Sequence, residues 1–287
     1  MSYQLKLMVK KLLGTDIAER NFAMYPDDTF LASYPRSGNT WTRFLIANLV
    51  HPSVAVSFKN IEQLIPDTSS QSSRALRRTP RPRIIKTHEY FDHRCRKVIC
   101  IVRDPRDVVL SYYDFQRKYR HIEDGYPLAS YVHDFVSGNL NSKDWGTWGE
   151  NVASWLYTRG QSKDFLLLRY EDMMEDPVRE LARTAIFLGL DSDPARIEQA
   201  VQRSSADRMR EMEKRESKDW VATKNHRSDI PFVRVAKSGG WKDKLPAECV
   251  AQIEAAWGET MVALGYELVS ASADSSKKVL LVKQAVL

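Results

Sequence analysis

The stretch Ser33-Tyr34-Pro35-Arg36-Ser37-Gly38-Asn39-Thr40-Trp41 could hold a phosphate group. It follows the apolar run Thr29–Tyr34 and leads into a helical pattern from Thr40 to Leu49, so it reads as strand, tight turn, helix. Such a turn presents backbone N–H groups and a helix N-terminus to an anion. Set against the pattern G-x-x-x-x-G-K-[ST], Gly38 and Thr40 match, Ser33 stands for the first Gly, and Asn39 stands for the Lys. The loop carries Arg36 as its cation instead. The lysine that reaches the β- and γ-phosphates of ATP is missing, and no strand-end carboxylate offers itself to Mg2+. An ATP-dependent kinase is therefore the weaker reading. Two further groups could do chemistry. His88 ends the run Ile84-Ile85-Lys86-Thr87-His88, and an imidazole of ordinary pKa about 6.5 suits a general base. Arg103, at the end of a third run, and Ser111, on the helix that follows, can converge on one anion. Each feature taken alone also has a plain reading: a strand-turn-helix, a structural histidine, a surface Arg103–Asp104 pair.

The elements that must position these groups alternate. Thr29–Tyr34, Ile84–His88, Lys97–Arg103 and Phe165–Tyr170 read as strands, and the near-continuous apolar run of the third suits a strand buried on both faces. Asp107–Tyr119 and Pro177–Leu188 read as helices, the latter ended by Gly189. Strands alternating with helices predict an α/β fold, a single domain with a central parallel β-sheet flanked by helices. In such sheets ligands sit at the carboxyl ends of the strands, where the three groups above fall. The expected organisation is a helix and lead-in over residues 1–28, one domain over 29–271 and a tail over 272–287. Met1–Gly14 reads as a short amphipathic helix rather than a signal peptide, and no apolar run is long enough to span a membrane. Ser69–Pro82 reads as a polar connector, with Arg74, Arg77, Arg78, Arg81 and Arg83 as a solvated face. Glu213–Val235 is long and charged and could be a lid.

The chain has 287 residues, a formal charge of +6 and a pI near 9.1. A mild basic excess suits an anionic ligand, and no recognition motif accompanies it to favour nucleic acid. Three cysteines, Cys95, Cys100 and Cys249, make no disulfide framework and no C-x-x-C pair, which fits a reducing, cytoplasmic setting. No Cys/His cluster suggests a metal.

Four segments, in order, resemble those of the PAPS-dependent sulfotransferases of the cytosolic type (PAPS, 3′-phosphoadenosine 5′-phosphosulfate). Ser33–Trp41 closely resembles their 5′-phosphosulfate loop, which usually carries Lys where this chain has Arg36. Ile85-Lys86-Thr87-His88 resembles their Lys-Thr-His signature, and Val102–Tyr113 their 3′-phosphate motif. Arg234–Lys242 resembles their Arg-Lys-Gly-x-x-Gly-x-Trp loop, with Val235 for the Lys and Ala236 for the first Gly. The resemblance implies sulfuryl transfer from PAPS to a hydroxyl of a small-molecule acceptor, by in-line attack and without a metal, leaving PAP (3′-phosphoadenosine 5′-phosphate). It implies His88 as general base, with Lys86 and Arg36 neutralising charge on the sulfonate and the bridging oxygen. Donor binding would fall to Arg36, Ser37, Gly38, Asn39, Thr40 and Trp41, to Arg103 and Ser111, and to Arg234 and Gly239. Tyr170 and Ser204 would join Trp41 at the adenine. Asn151 stands where relatives with phenolic or steroid acceptors often have His. Phe22, Tyr25, Tyr126, Trp145 and Trp148 are candidates for the acceptor pocket; without a clear copy of the C-terminal dimer motif of animal cytosolic relatives, the oligomeric state, a homodimer included, stays open. The rivals are a P-loop nucleotide kinase, a catalytically silent PAP-binding protein and a nucleic-acid binder.

Overall fold

Four apolar runs pair into one parallel sheet: β1 (Thr29–Ser33), β2 (Ile84–Thr87), β3 (Lys97–Val102) and β4 (Phe165–Arg169), in the spatial order β2-β1-β3-β4. In the computed structural model, residues 10, 13, 15–140, 145–191, 193–218, 220, 223, 226–233 and 238–270 are described. Strand β1 lies between its two parallel neighbours, with Ala32 opposite both Thr87 of β2 and Cys100 of β3. The chain leaves β1 toward β2 on one side and returns to β3 on the other, so the order reverses between β1 and β3. Ligands of open α/β sheets bind in the crevice at that reversal.

The strands bury both faces, which is why they read as continuous apolar runs. Leu31, Ile99 and Ile101 face one core, shared with Phe44, Leu45, Met173, Leu181 and Ile197. Phe30, Ala32, Val98 and Val102 face the other, shared with Val108, Tyr131, Phe135, Trp155, Ile253 and Trp257. Helices Asn39–Val50, Pro177–Leu188 and Pro194–Arg203 supply the first layer, and Pro105–Lys118, Leu128–Ser137, Trp148–Arg159 and Ala247–Ala263 the second.

The strands end one residue before the boundaries expected from sequence. The helix expected from Asp107 begins at Pro105, because Asp104 caps it by accepting the Arg106 N–H and a proline fits the first turn of a helix. The connector at 69–82 contains a helix, Ser73–Arg78, capped by Ser72. Arg83 is not solvated: it is 1% exposed and pairs with the buried Asp28 at 2.5 Å. The amphipathic helix read into Met1–Gly14 lies outside the described residues except at Lys10 and Leu13, and the tail 272–287 lies outside them entirely. No helix among the described residues is long and apolar enough to cross a membrane.

Candidate active site

The loop after β1 is built from unusual backbone. Arg36 and Gly38 both have positive φ, +69° and +96°. Gly38 is needed twice over, since a Cβ there would also lie 2.4 Å from the Tyr170 ring. The helix Asn39–Val50 then starts with no side-chain cap and no acidic residue in its first turn. Its first N–H groups therefore remain available to an anion. The buried Ser37 hydroxyl has no hydrogen-bond partner among the described residues. A buried polar group of this kind is normally satisfied, so the loop's donor set fits a phosphate or sulfonate. Thr40 follows on the first turn, and Asn39 donates back to Ser33 Oγ at 2.9 Å.

His88 stands at the carboxyl end of β2 against that of β1. Its Nδ1 lies 2.7 Å from the Ser33 carbonyl oxygen. A carbonyl only accepts, so Nδ1 carries the proton and Nε2 keeps its lone pair. Burial, together with the Lys86 ammonium, pushes the His88 pKa down to about 3. The ring is neutral at pH 7, as a base must be. Lys86 is itself 8% exposed and paired with Asp67. The Lys86 and Arg43 cations hold the Asp67 carboxyl well below the usual range despite its burial. Asp67 reaches Lys86 because its strand-like segment continues the sheet edge: the Lys86 N–H donates to Pro66 and the Thr68 N–H to Lys86. Behind His88, the buried Asn151 side chain donates to the His88 carbonyl at 2.9 Å and to the Trp145 carbonyl at 3.2 Å.

Arg36, Arg103 and Ser111 form one connected group. Arg36 Nε donates to Ser111 Oγ at 3.2 Å, and Arg103 donates to the Arg36 carbonyl at 3.3 Å. The Arg103 guanidinium also lies over the Tyr170 ring, 4.3 Å from its centroid. Trp41 meets the same ring edge-on at 6.0 Å. Tyr170 thus packs against Gly38, Arg103 and Trp41, all far from it in sequence. Ser204 is joined to this group through Trp41. It is fully buried, its carbonyl accepts from Trp41 Nε1 at 3.0 Å, and its hydroxyl accepts from Asn48 at 3.0 Å. Gly239 is tied to helix Pro105–Lys118 by Asp107, whose carboxylate accepts the Gly239 N–H at 2.6 Å and the Trp241 N–H at 3.1 Å. Burial raises the Asp107 carboxyl above its ordinary value, against the pull of Arg103. Arg234 lies outside the described residues.

Sequence reasoning missed Asp67, Asp107 and the support given by Asn151. Asp107 carried a signal, one helical turn before Ser111 and on its face. Asp67 carried none. Of the aromatic acceptor candidates, only Trp145 has a ring contact with His88, at 6.3 Å. Trp148 is wholly buried and donates to the Arg103 carbonyl. Phe22 is core, Tyr25 lies between the Arg81 and Arg83 guanidinium groups, and Tyr126 donates to Asp134. A cavity of about 1230 Å3 opens past the end of helix Pro105–Lys118, lined by Lys118, Tyr119, Asp124, His226 and Arg227 among others. No group of three or more His, Cys, Asp or Glu gathers as a metal site among the described residues.

Residues 26–265 match the family model of the sulfotransferase domain. The chain belongs to the PAPS-dependent sulfotransferase family and is an enzyme that transfers a sulfuryl group from PAPS. It is 29% identical over 252 residues to mouse sulfotransferase 1 family member D1, covering 82% of each chain. It is 28% identical over 264 residues to mouse sulfotransferase 1A1, covering 86% of this chain and 88% of that one. Its fold is that of mouse sulfotransferase SULT7A1, whose crystal structure was solved complexed with PAP: the TM-score is 0.69 at 22% identity, over 96% of this chain and 92% of that one.

Proposed function

We propose that the carboxyl edge of β1, β2 and β3 is where this enzyme binds PAPS and sulfates a hydroxyl of a small-molecule acceptor, with His88 as the base. The observation that carries the reading is the His88–Ser33 contact, which puts the proton on Nδ1 and the lone pair on Nε2 of a ring that burial keeps neutral beside the phosphate loop. His88 Nε2 takes the acceptor's proton as that oxygen attacks sulfur, and the bond from sulfur to the phosphate oxygen breaks to release PAP. Arg36 offsets charge on the sulfonate, the kind of preorganised electrostatic help that contributes most in many enzymes. Ser37, Gly38, Asn39 and Thr40 hold the 5′-phosphate through the loop and the helix N-terminus. Arg103, Ser111, Arg234 and Gly239 hold the 3′-phosphate, and Trp41 and Tyr170 meet the adenine. Ser204 serves by fixing Trp41. Lys86 acts through His88: its charge helps burial to keep the imidazole neutral, against the opposite pull of Asp67. Three buried thiols, two of them pushed up to about 12 by burial, support a cytoplasmic setting for this enzyme.

The test is a panel of phenols, aliphatic alcohols and sterols offered with PAPS, alongside thermal shifts with PAP and with ATP–Mg2+. The expected result is transfer to at least one hydroxyl class and a shift with PAP but not with ATP–Mg2+. Transfer confined to amines, or a larger shift with ATP–Mg2+, would overturn the assignment.

A further inference from the structure

Arg36 is the point at which this phosphate loop departs from the lysine of the family pattern, and its guanidinium lies over two aromatic rings. The central carbon is 5.0 Å from the centroid of Phe115 and 4.9 Å from that of Phe232. Both rings are themselves held. Phe115, on helix Pro105–Lys118, stacks on Tyr119 at 4.1 Å, and Tyr119 lies 3.7 Å from the His226 ring. Phe232 meets the buried Trp220 edge-on at 4.8 Å. The N–H groups of Phe232 and Val233 donate to the two oxygens of the Glu213 carboxylate, at 2.6 and 2.8 Å, and Glu213 is 8% exposed. A planar, weakly hydrated guanidinium stacks on ring faces, whereas an ammonium is a compact, strongly hydrated point charge.

We propose that Phe115 and Phe232 are positioning residues for Arg36: they form an aromatic clamp that fixes the plane of the guanidinium, so that an arginine can serve where the family uses a lysine. This rests on the reading of Arg36 as the cation that meets the sulfonate. The clamp joins a helix of the donor site to the segment 226–233. Placement of the cation therefore depends on Glu213 seating that segment.

Phe232→Leu keeps the apolar bulk and removes the ring, while Phe232→Trp keeps a ring. The readout is PAP released from PAPS, with 4-nitrophenol or water as the probe acceptor, beside the Kd for PAP and the melting temperature. For a partly desolvated cation–π contact, Phe232→Leu should lower kcat about tenfold, and Phe232→Trp should stay within about threefold of the parent. PAP affinity and melting temperature should hardly move in either. In an Arg36→Met background, Phe232→Leu should cost no further activity, because coupled residues are not additive. The clamp is overturned if Phe232→Leu turns over at the parent rate, or if its loss adds in full to that of Arg36→Met. Full activity in Arg36→Met alone would remove the sulfonate role of Arg36, and the clamp with it. The two failures are thus distinguishable.

Discussion

The sheet edge around His88 and the surface around Arg227 are both dense in charge but use it differently. At the sheet edge, Lys86 and Asp67 pair with side chains only 10% and 11% exposed, close enough to His88 to displace its pKa. At the surface, Arg227 bridges Asp124 and Asp229, whose side chains are 58% and 61% exposed. Water and salt screen such pairs, while a buried pair keeps its field. The first region, by burial first and by the Lys86 charge second, holds the His88 imidazole neutral. The second ties the loop after helix Pro105–Lys118 to the segment 226–230, helped by Lys118, which donates to the carbonyls of Arg227 and Ile230 at 2.6 Å.

This contrast can be broken at its buried end first. Asp67→Ala leaves the Lys86 ammonium buried without its partner and should lower the free energy of unfolding in urea by about 3–5 kcal/mol. A loss under about 1 kcal/mol would put the pair in the screened class and erase the contrast. The pH dependence of stability sharpens the same point. His88 falls from an ordinary 6.5 to about 3 on folding, so between those values the unfolded chain binds more protons than the folded one. Stability should therefore be greatest above pH 6.5 and fall as the pH is lowered toward 3. The depressed Asp67 acts in the same direction below the ordinary carboxylate range. In His88→Asn the first component should vanish, narrowing the stability gap between pH 7 and pH 5 by about 2 kcal/mol in denaturant titrations at each pH. An unchanged gap would mean that His88 titrates normally in the fold.

Smaller effects lie further from the base. Asp107→Ala frees the Gly239 and Trp241 amides and should weaken PAP about tenfold while leaving 5′-AMP within about twofold, as expected for loss of hydrogen bonds to a charged acceptor. Equal loss for both nucleotides would indicate general disruption instead. Arg227→Ala, in the screened region, should leave transfer within about twofold of the parent. A larger fall that high salt does not reproduce would show that the surface pairs reach the chemistry.

The parts of the candidate site that were legible in sequence are those written in contiguous residues. The loop from Ser33 to Trp41, the end of β2 at His88 and the Arg103–Ser111 pair each sit within one strand-and-turn unit, so composition and spacing carry them. The sheet was legible for the same reason, since strands buried on both faces leave continuous apolar runs. What sequence left out depends on partners brought together by folding. Arg83 looked like one of five loop arginines, yet it is buried because Asp28 waits across the sheet end. Asp67 and Lys86 are joined by a sheet-edge register with no sequence signature. Ser204 is joined to Trp41 and Asn48, residues more than 150 positions earlier in the chain. Phe115 and Phe232 meet only across Arg36.

The most direct test of the central claim is His88→Asn assayed side by side for PAPS-dependent transfer and for PAP binding by calorimetry. The predicted result is a loss of turnover of at least about 10²–10⁴, the usual worth of a general base, with the Kd for PAP within about threefold of the parent. Near-parent turnover, or loss of PAP binding in step with activity, would contradict the assignment of His88 as the base at this edge of the sheet.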